Sequence, residues 1–295
     1  MKEISKISII ISFLALWITS RLETNYQTWI GFAFIFSFGI LHGANDLVLI
    51  KNFKGNKNRS YFTFLSLYIV IVLISALLFL AIPLIALSIF ILVSAYHFGE
   101  QHWQDLENYR WNWLKQMFYL VYGSFILLLL FYFHNIEVQQ VILSITNHNI
   151  NLVSNPLPLI FSGILLLFLM IYNYFTLPNF KKTIATEIIY LIVFGLIFKL
   201  GSLIWGFAIY FILWHSIPSL NDQIKFLYGK YSFQNFILYF KSAFFYWIVS
   251  LLGIGILYYF LRDEKLFDAI FFSFLAAITF PHAFVILKMF EKKPD

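Results

Sequence analysis

The chain has 295 residues, of which 61% are hydrophobic and 12% charged, and its formal net charge is +6. So large an apolar share excludes an ordinary soluble domain and is typical of a multi-pass membrane protein. Cysteine is absent, which excludes disulfides, thiolate metal sites and cysteine nucleophiles. The basic residues lie in short segments between apolar runs, a pattern that favours membrane topology, so no nucleic-acid partner is expected.

Apolar runs along the sequence predict an all-α fold, a polytopic membrane helix bundle of about ten transmembrane helices in a single integral membrane domain, residues 1–295. The first run, Ile7 to Ser20, is interpreted as a span because no small-residue cleavage site follows it. The run from Tyr61 to Phe98 is long enough for two crossings, and Pro83 is the predicted turn between them. The other spans are predicted at 28–50, 113–133, 157–175, 183–198, 201–220, 242–261 and 266–290.

The segments between the predicted spans differ in composition, so different structures are predicted for them. Residues 134–156 are predicted to form a polar loop, and residues 221–241 an amphipathic helix along the membrane interface. The last span is expected to be interrupted at Pro281. If the loops alternate between two sides, most of the 20 Lys and Arg residues fall on one side, including the basic loop at 51–59 and the charged tail at 291–295. The positive-inside rule then predicts cytoplasmic termini, and we expect a multi-pass protein of the inner (plasma) membrane.

The segment Ser37 to Asp46, SFGILHGAND, carries two ionisable side chains inside the second predicted span. Such groups are costly in a bilayer and usually face a partner, a cavity or a ligand. His42 and Asp46 are four residues apart, so on a continuous helix they would share one face. Gly39 and Gly43 have the same spacing and would let a neighbouring helix approach closely. The segment therefore predicts a packed helix that presents an imidazole and a carboxylate.

Four of the seven histidines fall in the cytoplasmic halves of four different predicted spans: His42, His97, His215 and His282. Neutral imidazole suits iron, copper or zinc, so these residues are candidate ligands of one metal ion. Each could instead be a packing residue that hydrogen-bonds a neighbouring helix. His134 and His148 are predicted to lie at the opposite membrane face.

Polar residues close to these histidines are candidates for orienting them. Asp46 could accept a hydrogen bond from a metal-bound His42, as carboxylates often do at metal sites, although an ion pair without metal would look the same. Glu100 is three residues from His97 and can share its face, whereas His102 points away from His97 unless the helix breaks at Gly99. Near His215, the candidates are Ser219 and Asp222. Pro218 would distort the helix between His215 and Ser219, and a solvated loop position suits Asp222 better.

The motifs LHGAND, SAYHFGEQHW, LWHSIPSL and FPHAFV, in this order, resemble those of the Brp/Blh family of membrane-bound beta-carotene 15,15'-dioxygenases. The resemblance extends from the second to the last predicted span. It implies an oxidoreductase that contains non-haem Fe2+ and uses O2 to cleave the central double bond of beta-carotene. The products would be two molecules of all-trans-retinal, which could supply a microbial rhodopsin, and the substrate would arrive through the lipid bilayer.

The resemblance also implies the ligand set. His42, His97 and His215 match the family motifs by position. Some relatives have a second histidine four residues after the one that matches His215, but this chain has Ser219 there. His282 is therefore the preferred fourth ligand and His102 the reserve, with no catalytic residue expected beyond the metal centre.

Two other classes of function remain open at this level. Intramembrane His and Asp residues also form proton or ion pathways in transporters, although the inverted repeats common in transporters are not evident. A membrane protein that binds haem through two histidines would also place imidazoles in its spans.

Overall fold

A computed structural model of the chain describes residues 2–53, 60–106, 108–150, 154–260 and 264–291. These residues form helices and no strand, so the predicted all-α class is confirmed for the described part of the chain. Most of the basic loop at 51–59 and of the charged tail at 291–295 lies outside the described residues.

The described helices follow one another along the chain with short connections. They are α1 Lys2–Thr19, α2 Thr24–Phe34, α3 Ile40–Gly43, α4 Asp46–Asn52, α5 Tyr61–Ala81, α6 Pro83–Trp103, α7 Asn112–Phe133, α8 Asn135–Thr146, α9 Leu157–Thr176, α10 Pro178–Lys181, α11 Ile184–Leu200, α12 Leu203–Tyr210, α13 Ile217–Tyr228, α14 Phe233–Phe260 and α15 Glu264–Glu291. Two π-helical segments, Ile35–Gly39 and Phe211–Ser216, join α2 to α3 and α12 to α13.

Within the described residues, eight helical segments are long and apolar enough to cross a membrane, as a multi-pass membrane protein requires. Two of them are composite: Thr24–Asn52 runs from α2 to α4, and Leu203–Tyr228 runs from α12 to α13. The two remaining predicted spans correspond to shorter helices, α1 and α11. The break between α5 and α6 falls at Ile82 and α6 begins with Pro83, so the predicted turn is confirmed. The total of ten spans and the cytoplasmic position of the termini stay predictions.

The polar loop predicted for residues 134–156 is wrong for the first half of that segment, which forms α8. Its buried apolar residues, Val138, Ile142 and Ile145, recur at the spacing of one helix face. The sequence contains this helical spacing, but the polar residues between these positions led to the prediction of a loop.

The predicted interfacial helix at 221–241 is also wrong. Residues up to Tyr228 continue α13, and Phe233 begins α14. Gly229 has a positive φ of 82° and marks the end of α13, as glycines after helices commonly do.

The expected interruption of the last span at Pro281 is wrong, since α15 runs through this residue. A proline inside a membrane helix is tolerated where neighbouring groups satisfy the backbone.

The chain divides into two compact units. The first contains Met1–Ile35, Ser94–Gln140 and Ile150–Pro218, and in it α7 packs on α9 and α11 while α12 packs on α2. Helices α6 and α7 approach so closely that a Cβ added to Gly99 would collide with the Tyr119 carbonyl, and one added to Gly123 with that of Ala95. Only glycine allows this separation of the two backbones.

The second unit contains Phe36–Val93, Val141–Asn149 and Ser219–Asp295. In it α5 packs on α4 and α15, and α14 packs on α3 and α15. An apolar cluster of Leu49, Phe53, Val285, Ile286 and Met289 joins α4 to α15. This packing brings the segment around His42 against the half of α15 that carries His282.

Candidate metal centre

In the first unit, His97 and His215 form a buried pair. Helix α6 supplies His97 and the π-helical segment Phe211–Ser216 supplies His215. Their ring centroids are 4.7 Å apart with an interplanar angle of 79°, and the residues are 1% and 2% exposed. The residues are far apart in sequence, so packing of the helices brings the two imidazoles together. Single π-helical turns occur often at functional sites.

Aromatic rings surround this pair. Phe98 lies edge-on to His215, with centroids 4.7 Å apart. Phe211 stacks on His215 at 5.4 Å with an angle of 16°, and Phe207 stacks on Phe211 at 5.2 Å with an angle of 13°. Three nearly parallel rings thus lie in a row along the helix and end at an imidazole.

The second unit contains a second buried pair, His42 and His282. The ring centroids are again 4.7 Å apart, with an angle of 89°, and the residues are 5% and 4% exposed. A Cβ on Gly43 would lie 3.5 Å from Nδ1 of His282. This is an ordinary van der Waals distance, so the close helix approach predicted from the glycine spacing stays a prediction, and the neighbour of Gly43 is the His282 ring.

His42 and Asp46 do not share the face of one continuous helix, contrary to the sequence interpretation. Helix α3 ends at Gly43, a turn follows, and Asp46 begins α4. Side chains from other helices stabilise this break. Asn45 donates to the Tyr239 carbonyl at 2.9 Å, and the His42 carbonyl accepts hydrogen bonds from Gln223 Nε2 at 2.8 Å and from Tyr239 Oη at 3.1 Å. These bonds satisfy backbone groups that a break in a helix exposes.

The break directs the Asp46 carboxylate to His282. Oδ1 of Asp46 lies 2.8 Å from Nδ1 of His282, and Oδ2 accepts a hydrogen bond from Tyr68 Oη at 3.0 Å. Asp46 is 2% exposed and stands in the first turn of α4, where the helix dipole favours a negative charge. A buried carboxylate with two donors satisfies the requirement that buried charges be paired.

The hydrogen-bond partners define which nitrogen carries the proton in the second pair. Nδ1 of His42 contacts the Gly39 carbonyl oxygen, and a carbonyl oxygen only accepts, so Nδ1 is the donor. Nδ1 of His282 donates in the same way to Asp46. In a neutral imidazole the lone pair then resides on Nε2. Metal-binding histidines usually have this arrangement, with the second nitrogen bonded to a carboxylate or a carbonyl.

His102, the reserve ligand, lies in a different environment. Helix α6 continues through Gly99 to Trp103 without a break, so His102 points away from His97. Its Nε2 lies 2.8 Å from Oε2 of Glu187 and 3.1 Å from Oη of Tyr122. Nε2 of His102 is thus bonded to side chains of α7 and α11.

The other residues singled out in the sequence are buried or take part in hydrogen bonds. Glu100 is buried, 4% exposed. Ser219 Oγ accepts a hydrogen bond from Gln223 Nε2 at 3.1 Å, which connects it to the network at the His42 carbonyl. Asp222 accepts from Asn221 Nδ2 at 3.4 Å. His134 donates through Nε2 to the Phe198 carbonyl at 2.8 Å, a contact that holds α11.

Among the described residues, no group of three or more His, Asp or Glu side chains that could hold a metal ion occurs. What the structure brings together are the two histidine pairs, each within its own unit. By donor type, buried imidazoles suit iron, copper or zinc alike, and the Nδ1 contacts of His42 and His282 are those of histidines that bind a metal through Nε2. The donor chemistry of the residues present is therefore compatible with a transition metal such as iron.

Sequence reasoning missed several residues that position these side chains. Glu187 is an acidic residue inside the predicted span 183–198, and the rule that singled out Asp46 could have found it. Tyr68 and Gln223 gave no signal, because their partners are remote in sequence.

The fold and the buried histidines define a polytopic membrane protein with paired imidazoles among its spans. A family model described as beta-carotene 15,15'-dioxygenase matches residues 33–290. The chain thus belongs to the beta-carotene 15,15'-dioxygenase family, as its motifs suggested, and is a carotenoid dioxygenase. No curated protein and no solved structure matches it.

Proposed function

We propose that this protein cleaves the central double bond of beta-carotene with O2 and releases two molecules of all-trans-retinal. The observation that carries the proposal is the position of all four buried histidines within the matched region, residues 33–290, in two pairs that distant segments form. A binding protein for carotene would have no need of buried imidazole pairs, whereas an oxygen-dependent metalloenzyme without cysteine takes its ligands from His, Asp and Glu.

Iron is the proposed cofactor, and His42, His97, His215 and His282 are its proposed ligands. A ferrous ion bound to neutral imidazoles would supply the activation of O2. The protein supplies binding, orientation and exclusion of water, as in other cofactor enzymes. Burial of all four residues below 6% exposure supports this assignment.

The chain's own residues would position the polyene. Phe207, Phe211 and His215 form a row of stacked rings that ends at a proposed iron ligand. A conjugated chain that lies along these rings would be aligned with its double bonds beside the imidazole of His215. Phe98, edge-on to the same imidazole, would exclude water from that side. Fixed alignment of this kind selects one double bond among many similar ones.

The environment of the substrate supports a membrane enzyme. Beta-carotene is insoluble in water and partitions into lipid, so a site among apolar helices can receive it directly. We place the enzyme in the plasma membrane, where the retinal it releases would be available to a microbial rhodopsin.

Expression in a bacterium that accumulates beta-carotene tests the activity. Loss of the orange colour, with two retinal molecules formed per carotene consumed, is the expected result. Unchanged carotene in aerated, iron-replete cells that contain the folded protein would contradict the proposal. Strong visible absorption of the purified protein before any carotene is added would instead indicate haem.

Variants of the histidines test the assignment of ligands. Replacement by alanine should abolish cleavage at each of these four residues: His42, His97, His215 and His282. The matched controls are His134→Ala and His148→Ala, which should retain cleavage per molecule of folded protein. If the controls lose as much activity as the four ligand variants, the assignment is wrong.

A further inference from the structure

The Asp46 carboxylate connects His282 to a tyrosine that the sequence did not single out. We propose that Tyr68 is a positioning residue that acts through Asp46 to hold the His282 imidazole with its Nε2 available for the metal. This inference rests on the proposed iron centre and adds a residue on α5 to it. Tyr68 would touch neither iron nor substrate.

The geometry forms one continuous chain of hydrogen bonds. Tyr68 Oη donates to Oδ2 of Asp46 at 3.0 Å, and Oδ1 of the same carboxylate accepts from His282 Nδ1 at 2.8 Å. Three elements of the second unit, α5, α4 and α15, each contribute one of these side chains. Both oxygens of Asp46 are therefore engaged by different helices.

The two donors fix the rotation of the carboxylate. A carboxylate with a single donor can turn about its χ2 torsion, which is broad. Tyr68 holds Oδ2 on one side, so Oδ1 faces the imidazole. Because Asp46 and His282 are 2% and 4% exposed, water is not at hand to replace a lost donor.

The fixed carboxylate in turn fixes the imidazole. With Nδ1 as donor, the ring cannot turn over without losing its bond to Asp46, and the lone pair stays on Nε2. His42 has the same protonation through the Gly39 carbonyl, so both rings of the pair present the same kind of nitrogen. Outer partners of this type typically change metal affinity by about 10- to 100-fold when they are removed.

Tyr68→Phe is the test, because it removes only the hydroxyl. The matched control is Tyr61→Phe on the same helix, where the lost hydroxyl contacts that of Tyr246. Iron affinity of the purified proteins is measured by competition with a chelator for Fe2+. Asp46→Asn is the second variant, and it should weaken iron binding at least as much as Tyr68→Phe.

A second readout needs no metal. Nitrogen-15 NMR of ring-labelled histidines in the iron-free protein reports which nitrogen carries the proton, with His282 assigned by the signal lost in His282→Gln. We expect one Nδ1-protonated signal in the wild type and in Tyr61→Phe, and a mixture of both ring forms in Tyr68→Phe. A merely structural role for Tyr68 would not change this ratio.

The outcomes separate the two proposals. About tenfold weaker Fe2+ binding in Tyr68→Phe, with Tyr61→Phe unchanged, supports the inference. Equal affinity and equal ring protonation in the two tyrosine variants overturns it and leaves the proposed function intact. A wild-type protein that takes up no Fe2+ contradicts the iron centre itself and, with it, the role of Tyr68.

Discussion

The His102–Glu187 contact gives the sharpest test of which histidines are structural. Nε2 of His102 and Oε2 of Glu187 are 2.8 Å apart, and the side chains are 11% and 9% exposed. Hydrogen bonds that involve a charged group contribute about 1.5–3 kcal/mol, and low exposure places this one in the upper part of that range. We expect a coupling energy of about 2–3 kcal/mol in a double-mutant cycle of His102→Ala and Glu187→Ala.

The assay is equilibrium unfolding of the detergent-solubilised protein by sodium dodecyl sulfate, followed by tryptophan fluorescence. Glu137→Ala is the control, because Glu137 is 54% exposed and lies 3.8 Å from His134, so its loss should change stability by less than about 1 kcal/mol. A coupling energy below about 0.5 kcal/mol would refute the reasoning. Loss of bound iron in His102→Ala at unchanged stability would show that His102 is a ligand.

Three further variants test the packing around the histidines. Gly123→Ala places a Cβ against the Ala95 carbonyl, so α6 and α7 must separate, and thermal unfolding in detergent should occur well below the wild-type temperature. Gln223→Leu removes a donor from the His42 carbonyl; we expect about 1–3 kcal/mol lower stability by the same detergent titration and a weaker Fe2+ affinity by chelator competition. His134→Ala loses a bond to the backbone of α11 and should lower stability by about 1 kcal/mol, with retinal formation per folded molecule unchanged. Full stability of Gly123→Ala would contradict the close packing of α6 on α7. Wild-type Fe2+ affinity in Gln223→Leu would contradict a role of Gln223 in positioning His42, and absent turnover in His134→Ala would contradict a purely structural role of His134.

Composition and apolar periodicity were sufficient to predict the helical membrane class and the break at Pro83, because the length of an apolar run is a local property. They failed where tertiary contacts decide the local structure. Helix α8 was missed because polar residues separate its buried positions, and the turn after Gly43 was missed because its backbone groups are satisfied by Gln223 and Tyr239, which are remote in sequence.

The candidate site was predictable in its residue types and less so in its contacts. The cost of ionisable groups in a membrane singled out His42, Asp46 and His282. Which of them pair could not be read from spacing, because the helix break turns Asp46 toward α15. Tyr68 was identified as part of the site only in the structure, because its partner Asp46 belongs to another helix.

Reconstitution with metal decides whether this carotenoid dioxygenase depends on iron, as we propose. The purified protein is stripped of metal, reconstituted in lipid vesicles that contain beta-carotene, and supplied with O2 and increasing Fe2+, while retinal is quantified. We predict no retinal without Fe2+, and retinal formation that rises with Fe2+ and saturates at one iron per protein. Full activity of the metal-free protein would show that iron is not the cofactor. No activity at any Fe2+ concentration in folded protein would show that the proposed cleavage does not occur.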